Sequence, residues 1–177
     1  GVSLLGPNCL GAINTHAKLN ASFAKHMPEQ GGISVISQSG ALCTAILDWA
    51  EKNDVGFSSL ISTGIGADVD FGEILDFVAM DPGTDSIMLY IEGLKDARRF
   101  MSALRAAART KPVVIMKSGR HEQGSKAAVS HTGALVGSDA VFDSALRRAG
   151  VLRVDDFTDF FSTAATLSSG LRTSGNR

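Results

Sequence analysis

A histidine in a loop is the first residue of this sequence that could carry chemistry. His131 lies in a stretch of small residues that begins at Ser130, between a predicted strand, Val113–Lys117, and a predicted helix, Ser138–Ala149. A histidine in such a loop can be reached by a small substrate and can act as a nucleophile. The other histidines are interpreted as surface or hydrogen-bonded structural residues: His16, His26 and His121.

A carboxylate at the end of a predicted strand is the second candidate. Glu92 directly follows the apolar run Ser86–Ile91, and a carboxylate in such a position is costly unless it has a partner. A histidine is a fitting partner, because a ring bonded to the carboxylate through Nδ1 keeps Nε2 free to attack. Two simpler roles stay open for Glu92, namely contact with solvent and capping of the helix that begins near Asp96.

A strand that enters a helix through serine and glycine provides a candidate anion site. The stretch Ser37–Ala41 makes this connection. Free backbone N–H groups and the positive end of the helix dipole favour a bound phosphate here, at Ser39, Gly40 and Ala41. A plain N-cap by Ser39 or Ser37 is equally consistent with the residues. A hydrolase nucleophile elbow is disfavoured, because its Gly-x-Ser-x-Gly pattern would need glycine at position 37.

Two further loops contain residues that suit close contact with a ligand. Gly64 and Gly66 follow another predicted strand, and glycine lets the backbone approach a bound molecule. The spacing does not match a dinucleotide-binding fingerprint. A tight turn followed by a helix cap, Asp68 or Asp70, explains this loop equally well. Asn8 ends a rigid Gly-Pro-Asn turn that follows the first predicted strand.

Alternating strand and helix patterns must position these residues. Short continuous apolar runs predict strands buried on both faces, at Val2–Leu5, Ile33–Ser37, Phe57–Ser62, Ser86–Ile91, Val113–Lys117 and Val151–Val154. Apolar repeats at three and four residues predict helices at Ala41–Lys52, Phe71–Met80, Ala97–Arg109, Ser138–Ala149 and Phe157–Leu167. The alternation predicts an α/β fold with a mainly parallel sheet, whose ligands bind at the carboxyl ends of the strands. Residues 14–32 lack clear periodicity and are predicted to be loop and turn.

Composition narrows the class of protein. A net charge of −1 gives no reason to expect nucleic acid or an anionic membrane as a partner. Cys9 and Cys43, the only cysteines, have neither zinc nor disulfide-framework spacing, so we expect no metal site and a reducing, cytoplasmic location. Cys9 is interpreted as a small buried residue. The abrupt start without Met leads us to expect a domain excised from something longer.

Together the loops resemble those of the nucleoside-diphosphate-forming acyl-CoA synthetases, which are relatives of the succinyl-CoA synthetase α subunit. The similarity runs from Gly6 to about Val154. It rests on motifs in the family's order: Gly6-Pro7-Asn8-Cys9, Ser37-Gln38-Ser39-Gly40, Ser62-Thr63-Gly64-Ile65-Gly66, Asp81 to Thr84 before Ile91-Glu92-Gly93, Lys111-Pro112-Val113-Val114 and Ser130-His131-Thr132-Gly133-Ala134. Each motif is weak alone, and their order makes the resemblance specific.

The resemblance implies a flavodoxin-like, three-layer αβα domain at residues 33–168. Residues 1–32 are then an entry segment and linker from a missing N-terminal CoA-binding domain, and residues 169–177 a flexible tail. His131 matches the phosphorylated histidine and Glu92 the glutamate that binds its ring. Ser39, Gly40 and Ala41 match the phosphate cradle. Candidate substrate-binding residues are Asn8, Gly64, Gly66, Thr132 and Gly133.

The implied activity is an ADP-forming acid–CoA ligase that forms part of a larger protein, so the isolated fragment is expected to be inactive. CoA, ADP or ATP and Mg²⁺ would act as substrates, bound by the missing CoA-binding domain and by an ATP-grasp domain or subunit. Acyl-CoA and phosphate would be the small molecules that react at this domain. The whole enzyme is expected to be an oligomer. Thr44 stands where the succinate-specific enzymes have tyrosine, which argues against succinate.

A second resemblance keeps a different class of function open. Some protein lysine acetyltransferases are fused to a similar region that senses acyl-CoA without turnover. Asn20-Ala21-Ser22-Phe23 and Ile46-Leu47-Asp48-Trp49 resemble that group. Such regulatory regions tend to lose the histidine, so the presence of His131 favours the ligase.

Overall fold

The computed structural model describes residues 1–118 and 139–170. Over these residues the chain forms a seven-stranded sheet with the strand order β2-β1-β4-β3-β5-β6-β7. The strands are β1 (Gly11–Asn14), β2 (Leu19–Ser22), β3 (Gln30–Ser37), β4 (Phe57–Ser62), β5 (Ser86–Ile91), β6 (Val113–Lys117) and β7 (Leu152–Val154). Strands β3 to β7 are parallel, whereas β1 runs antiparallel to β2 and β4.

The described residues also form five helices that cover both faces of the sheet. These are α1 (Gly40–Lys52), α2 (Phe71–Met80), α3 (Ala97–Ala108), α4 (Asp139–Ala149) and α5 (Phe157–Ser168). Helices α1 and α5 contribute to one apolar core, and α2, α3 and α4 to the other. The predicted three-layer arrangement is therefore present.

The central strands are apolar throughout because each of their faces packs against a helical layer. In β5, Ile87, Leu89 and Ile91 enter the core beneath α2 and α3, whereas Met88 enters the core beneath α1. Burial on both faces explains why the apolar residues of these strands are consecutive in the sequence and do not alternate with polar ones.

Carboxylates cap three of the helices, and only the cap of α2 had been predicted, as Asp68 or Asp70. Asp70 accepts hydrogen bonds from the Gly72 and Glu73 N–H groups at the start of α2. Asp96 and Asp156 cap α3 and α5 in the same way. Because Asp96 fills the α3 cap, Glu92 does not serve that role.

Two predictions for the first 32 residues are wrong. Val2–Leu5 forms no strand. This segment instead crosses the loop after β4, where the Leu4 N–H group donates to Asp68 Oδ2 at 2.8 Å and the Val69 N–H group donates to the Leu4 carbonyl at 3.1 Å. Residues 14–32, predicted as loop, contain β2 and the start of β3. Strand β2 was not predicted because it is an exposed edge strand of four residues without an apolar run.

Candidate functional site

The carboxyl ends of the parallel strands bring three of the predicted loops to one edge of the sheet. Ser37 at the end of β3 is level with Ser62 at the end of β4 and with Tyr90 near the end of β5. Ile91 is level with Lys117, where β6 ends. The loops that follow β3, β4 and β5 are therefore neighbours, and this edge is where ligands bind in sheets of this kind.

The start of α1 has the features of an anion site. Ser39 is the N-cap, and its Oγ accepts from the Leu42 N–H group at 3.3 Å. The next two N–H groups, of Gly40 and Ala41, belong to the first helical turn and have no carbonyl partner within the helix. No acidic residue lies in that first turn. The cap interpretation is thus correct for Ser39, and it leaves two donors and the helix dipole available to a phosphate.

Ser37 supports this turn from below rather than capping it. Its Oγ accepts from the Ser39 N–H group at 3.0 Å and donates to the Ser39 carbonyl at the same distance. Ser37 is fully buried at the strand end, so these bonds hold the cap residue in place above the sheet.

Glu92 follows β5 at the same edge and is half-buried. Its backbone N–H group donates to Gln38 Oε1 at 2.6 Å, and the Gly93 N–H group donates to the same oxygen at 3.0 Å. Gln38 immediately precedes the α1 cap residue, so these bonds tie the turn that carries Glu92 to the candidate anion site. Our sequence predictions missed this role of Gln38, because only the strand order of the folded sheet shows that the end of β3 lies beside β5.

The charge of Glu92 acts on Tyr90, two residues earlier at the end of β5. Burial raises the pKa of the Tyr90 hydroxyl, the negative charge of Glu92 raises it further, and the nearby Ser118 side chain opposes both effects. The phenol therefore stays protonated and neutral at this edge of the sheet.

Gly64 and Gly66, in the loop after β4, differ in how much space surrounds them. Gly64 has φ +53°, and a Cβ atom there would lie 2.2 Å from the Pro7 carbonyl oxygen and 2.4 Å from that of Asn8. The close approach at Gly64 is thus to the protein's own Pro7-Asn8 turn. Gly66 has φ +59°, but its Cβ position is open, with only the Val69 carbonyl oxygen nearby at 3.6 Å. Of the two, Gly66 offers the more accessible surface for a ligand.

A small cleft opens beside Gly66 between the loops after β4 and β5. Its walls include Gln38, Thr63, Ile65, Gly66, Gly93, Leu94 and Lys95. Lys95 spans the two loops, because its Nζ donates to the Gly66 carbonyl at 3.1 Å. The roles of Asn8, Gly64 and Gly66 in substrate binding stay predictions.

Neither cysteine has the surroundings of a nucleophile. Cys43 lies on the buried face of α1, and burial raises its pKa to about 12 despite hydrogen bonds with Ser37 and Ser62 that act in the opposite direction. A thiol needs a lowered pKa to react as thiolate near neutrality. Cys9 is half-buried rather than buried, and its Sγ donates to the Leu5 carbonyl at 3.8 Å.

A charged cluster lies where the chain leaves β6 and where α4 begins. Arg153 Nη2 lies 2.6 Å from Asp139 Oδ1, and the Arg153 side chain is only 8% exposed. Burial lowers the pKa of the neighbouring Lys117, Asp139 raises it and Arg153 lowers it further. The Ser118 N–H group donates to the Ile91 carbonyl at 2.9 Å, so β6 ends directly beside Glu92.

His131, Thr132 and Gly133 lie outside the described residues. Their predicted roles, as phosphorylated residue and as candidate substrate contacts, therefore stay predictions. Within residues 1–118 and 139–170, no group of three or more His, Cys, Asp or Glu side chains could hold a metal ion. In the same part of the chain, no helix has the length and apolarity needed to cross a bilayer.

Comparison with known proteins agrees with the sequence resemblance. The ADP-forming acetate–CoA ligase I of Archaeoglobus fulgidus is 46% identical over 167 residues, which are 94% of this chain and 24% of that protein. The α subunit of the ADP-forming acetate–CoA ligase II of Pyrococcus furiosus is 42% identical over all of this chain and 38% of its own length. The chain thus spans between about a quarter and two fifths of these relatives.

A solved structure of acetyl-coenzyme A synthetase 1 from Ca. Korarchaeum cryptofilum, in complex with phosphate and ADP, superimposes with a TM-score of 0.89. It is 38% identical, and the match covers 95% of this chain and 37% of that one. This likeness confirms the predicted three-layer αβα fold. Residues 30–167 match the family described as the succinyl-CoA ligase like flavodoxin domain. The chain belongs to that family.

Proposed function

We propose that this chain is the phosphohistidine-carrying domain of an ADP-forming acyl-CoA synthetase, with His131 as the residue that is phosphorylated. The observation that carries the proposal is the placement of Glu92 next to the open first turn of α1, with Gln38 joining the two. A carboxylate that can orient an imidazole and a helix start that can hold a phosphate are the two groups that phosphoryl transfer to histidine needs. The relatives named above are ligases of this kind by their descriptions.

The proposed reaction has three balanced steps. First, an oxygen of monohydrogen phosphate attacks the carbonyl carbon of acyl-CoA; the C–S bond breaks, the phosphate proton passes to the sulfur, and CoA leaves as the thiol, which gives an acyl phosphate. Second, Nε2 of His131 attacks phosphorus, the bond from phosphorus to the acyl oxygen breaks, and the carboxylate of the acid leaves. Third, a terminal oxygen of ADP attacks the phosphorus on the ring, the N–P bond breaks, and ATP and free histidine result. Every step is reversible.

In this scheme the described residues supply positioning and charge rather than proton transfer. The Gly40 and Ala41 N–H groups and the α1 dipole offset the negative charge of the phosphoryl group, and such electrostatic positioning is the main source of catalysis in phosphoryl transfer. Glu92 would hold the ring and stabilise the positive charge that forms on it. Asn8, Gly64, Gly66, Thr132 and Gly133 would contact the acyl substrate.

The remaining requirements would come from other parts of the enzyme. We propose that a CoA-binding domain and an ATP-grasp domain or subunit bind CoA and ADP with Mg²⁺, within a cytoplasmic oligomer. Thr44 lies exposed on α1, and together with the acetate–CoA ligase relatives it favours acetate or another simple acyl group over succinate. This domain alone would show little turnover.

The test uses the full natural protein and acetyl phosphate labelled with ³²P. We expect a label that survives base and is lost in acid, and mass spectrometry should place it on His131. His131→Ala should abolish it. Glu92→Gln should slow labelling about 100-fold or more, because the ring loses its orienting charge. Exchange of Glu29, an exposed acid far from this edge, for glutamine is the control and should change nothing.

The same experiment decides between a ligase and the acyl-CoA-sensing region of an acetyltransferase. A sensing region would bind acyl-CoA but carry no label from acetyl phosphate or from ATP with Mg²⁺. Binding without phosphorylation of the natural protein would therefore contradict the proposal.

A further inference from the structure

The side chain of Gln38 joins two loops at this edge of the sheet. A single amide oxygen, Oε1, accepts hydrogen bonds from two successive backbone N–H groups, those of Glu92 at 2.6 Å and Gly93 at 3.0 Å. Both partners can only donate, so the orientation of the amide is settled by chemistry: the oxygen must face the turn, and the NH₂ group must face away from it.

The backbone of Gln38 makes a third bond to the same strand. Its N–H group donates to the Tyr90 carbonyl at 3.2 Å, as a continuation of the pairing between β3 and β5. From the other side, the Ser118 N–H group donates to the Ile91 carbonyl at 2.9 Å. The last residues of β5 are therefore held by the ends of both neighbouring strands, and beyond Ile91 the support comes from the Gln38 side chain.

Gln38 directly precedes the first turn of α1, so its hydrogen bonds connect that turn to Glu92. The next residue is Ser39, the N-cap of α1, followed by the free donors of Gly40 and Ala41. Gln38 is thus covalently joined to the candidate phosphate site and hydrogen-bonded to the residue that carries the carboxylate. A displacement of about 1 Å in such an arrangement can lower a catalytic rate by about 100-fold.

We propose that Gln38 is a positioning residue that fixes Glu92 relative to the first turn of α1 and thereby sets the rate at which the histidine is phosphorylated. This inference rests on the function proposed above. Gln38 need not touch the reacting atoms, because it acts through the backbone of Glu92 and Gly93.

The test compares two glutamines at opposite ends of β3, Gln30 at its first residue and Gln38 directly after its last. Gln38→Leu removes the acceptor at nearly constant size, and we expect the maximum rate of labelling by acetyl phosphate to fall between about 10-fold and 100-fold. The concentration of acetyl phosphate that gives half-maximal labelling should stay within about twofold, since the donors of α1 are untouched. Gln30→Leu is the matched control, because Gln30 is exposed at the opposite end of β3 and contacts His16; its labelling rate should match that of the natural protein.

A double-mutant comparison separates positioning from a general loss of structure. If Gln38 acts through Glu92, Gln38→Leu should cause little further loss in a protein that already carries Glu92→Gln, within about threefold. Equal effects of Gln38→Leu in both backgrounds would overturn the inference. Labelling of the natural protein together with a fully active, folded Gln38→Leu variant would overturn it as well, while leaving the proposed function intact.

A second variant keeps the test decisive if Gln38→Leu does not fold. Gln38→Asn retains the amide but is one methylene shorter, so its oxygen cannot reach both N–H groups in the present geometry. We expect the same loss of rate, and faster hydrogen exchange at the Glu92 and Gly93 amides. Unchanged rate and exchange in this variant would count against the proposal, whereas a natural protein that takes no label at all would contradict the proposed function itself.

Discussion

At the scale of single residues, the site depends on backbone groups as much as on side chains. The N–H groups of Gly40 and Ala41 provide the candidate anion site, and Gln38 acts on the N–H groups of Glu92 and Gly93. Residue type in the sequence reports such backbone roles only indirectly. This is why Glu92 and the Ser39 turn could be predicted from a carboxylate and a serine at strand ends, whereas the part of Gln38 could not.

Gly64 offers a prediction about stability in which its neighbour serves as the control. Gly64→Ala would place a methyl group against the Pro7 and Asn8 carbonyl oxygens in a backbone conformation with φ +53°. We expect the free energy of unfolding to fall by about 2–4 kcal/mol, from left-handed strain plus the clash. Gly66→Ala shares the strain, with φ +59°, but has open space around it, and should lose only about 1–2 kcal/mol.

Urea unfolding followed by circular dichroism measures both variants. Equal losses for the two glycines would show that the contact of Gly64 with the Pro7-Asn8 turn is unimportant. The result bears on function too, since this turn carries Asn8, one of the candidate substrate-binding residues.

At the scale of elements, the central strands could be predicted from the sequence, whereas the strands at one edge of the sheet could not. Strands β4, β5 and β6 have the predicted bounds, because residues buried on both faces leave continuous apolar runs in the sequence. Strand β1 is short, and Leu19 in β2 is exposed, so neither leaves such a run. Val2–Leu5 does have one, but its backbone pairs with the loop at Asp68 and Val69 instead of with a strand.

Two arginines with acidic partners on α4 give a prediction at this scale. Arg153 in β7 is 8% exposed and lies 2.6 Å from Asp139, at the first residue of α4. Arg147 is 80% exposed and lies 3.0 Å from Asp143 within the same helix. Because the Arg153 side chain is buried and its partner Asp139 is only 29% exposed, Arg153→Met should lower the free energy of unfolding by about 1–3 kcal/mol. Arg147→Met should cause no measurable change, since exposed pairs contribute little.

Differential scanning calorimetry at low and high salt checks this pair of variants. Only the Arg153→Met protein should melt at a clearly lower temperature, and added salt should not remove the difference, because a buried pair is poorly screened. If both variants have the same melting temperature, the Arg153–Asp139 ion pair does not stabilise the packing of α4 against the sheet. This packing matters because α4 is the first described element after residues 119–138, which include His131.

At the scale of the whole molecule, the first 32 residues are part of the sheet and of its core. The sequence suggested a linker from a preceding domain, yet β1 pairs with β4 and covers what would otherwise be an edge of the sheet. Ile13 of β1 is buried in the core beneath α1. The family match begins at residue 30, whereas the sheet already includes strands at Gly11–Asn14 and Leu19–Ser22.

Deletion of residues 1–29 tests whether that segment is part of the folding unit. The truncated protein would expose the N–H and C=O groups of β4 along a new edge, together with the apolar surface that Ile13 covers. Unprotected edges of this kind promote pairing between molecules. We therefore expect the deletion protein to melt at least 10 °C lower, by the usual relation between lost stability and melting temperature, and to aggregate.

Truncation after Gly170 is the control and should change neither property. Light scattering during a thermal melt measures both. A deletion protein that stays monomeric and melts at the same temperature as the undeleted protein would support the linker that the sequence predicts at residues 1–32, with the parallel strands and their helices as the folding unit.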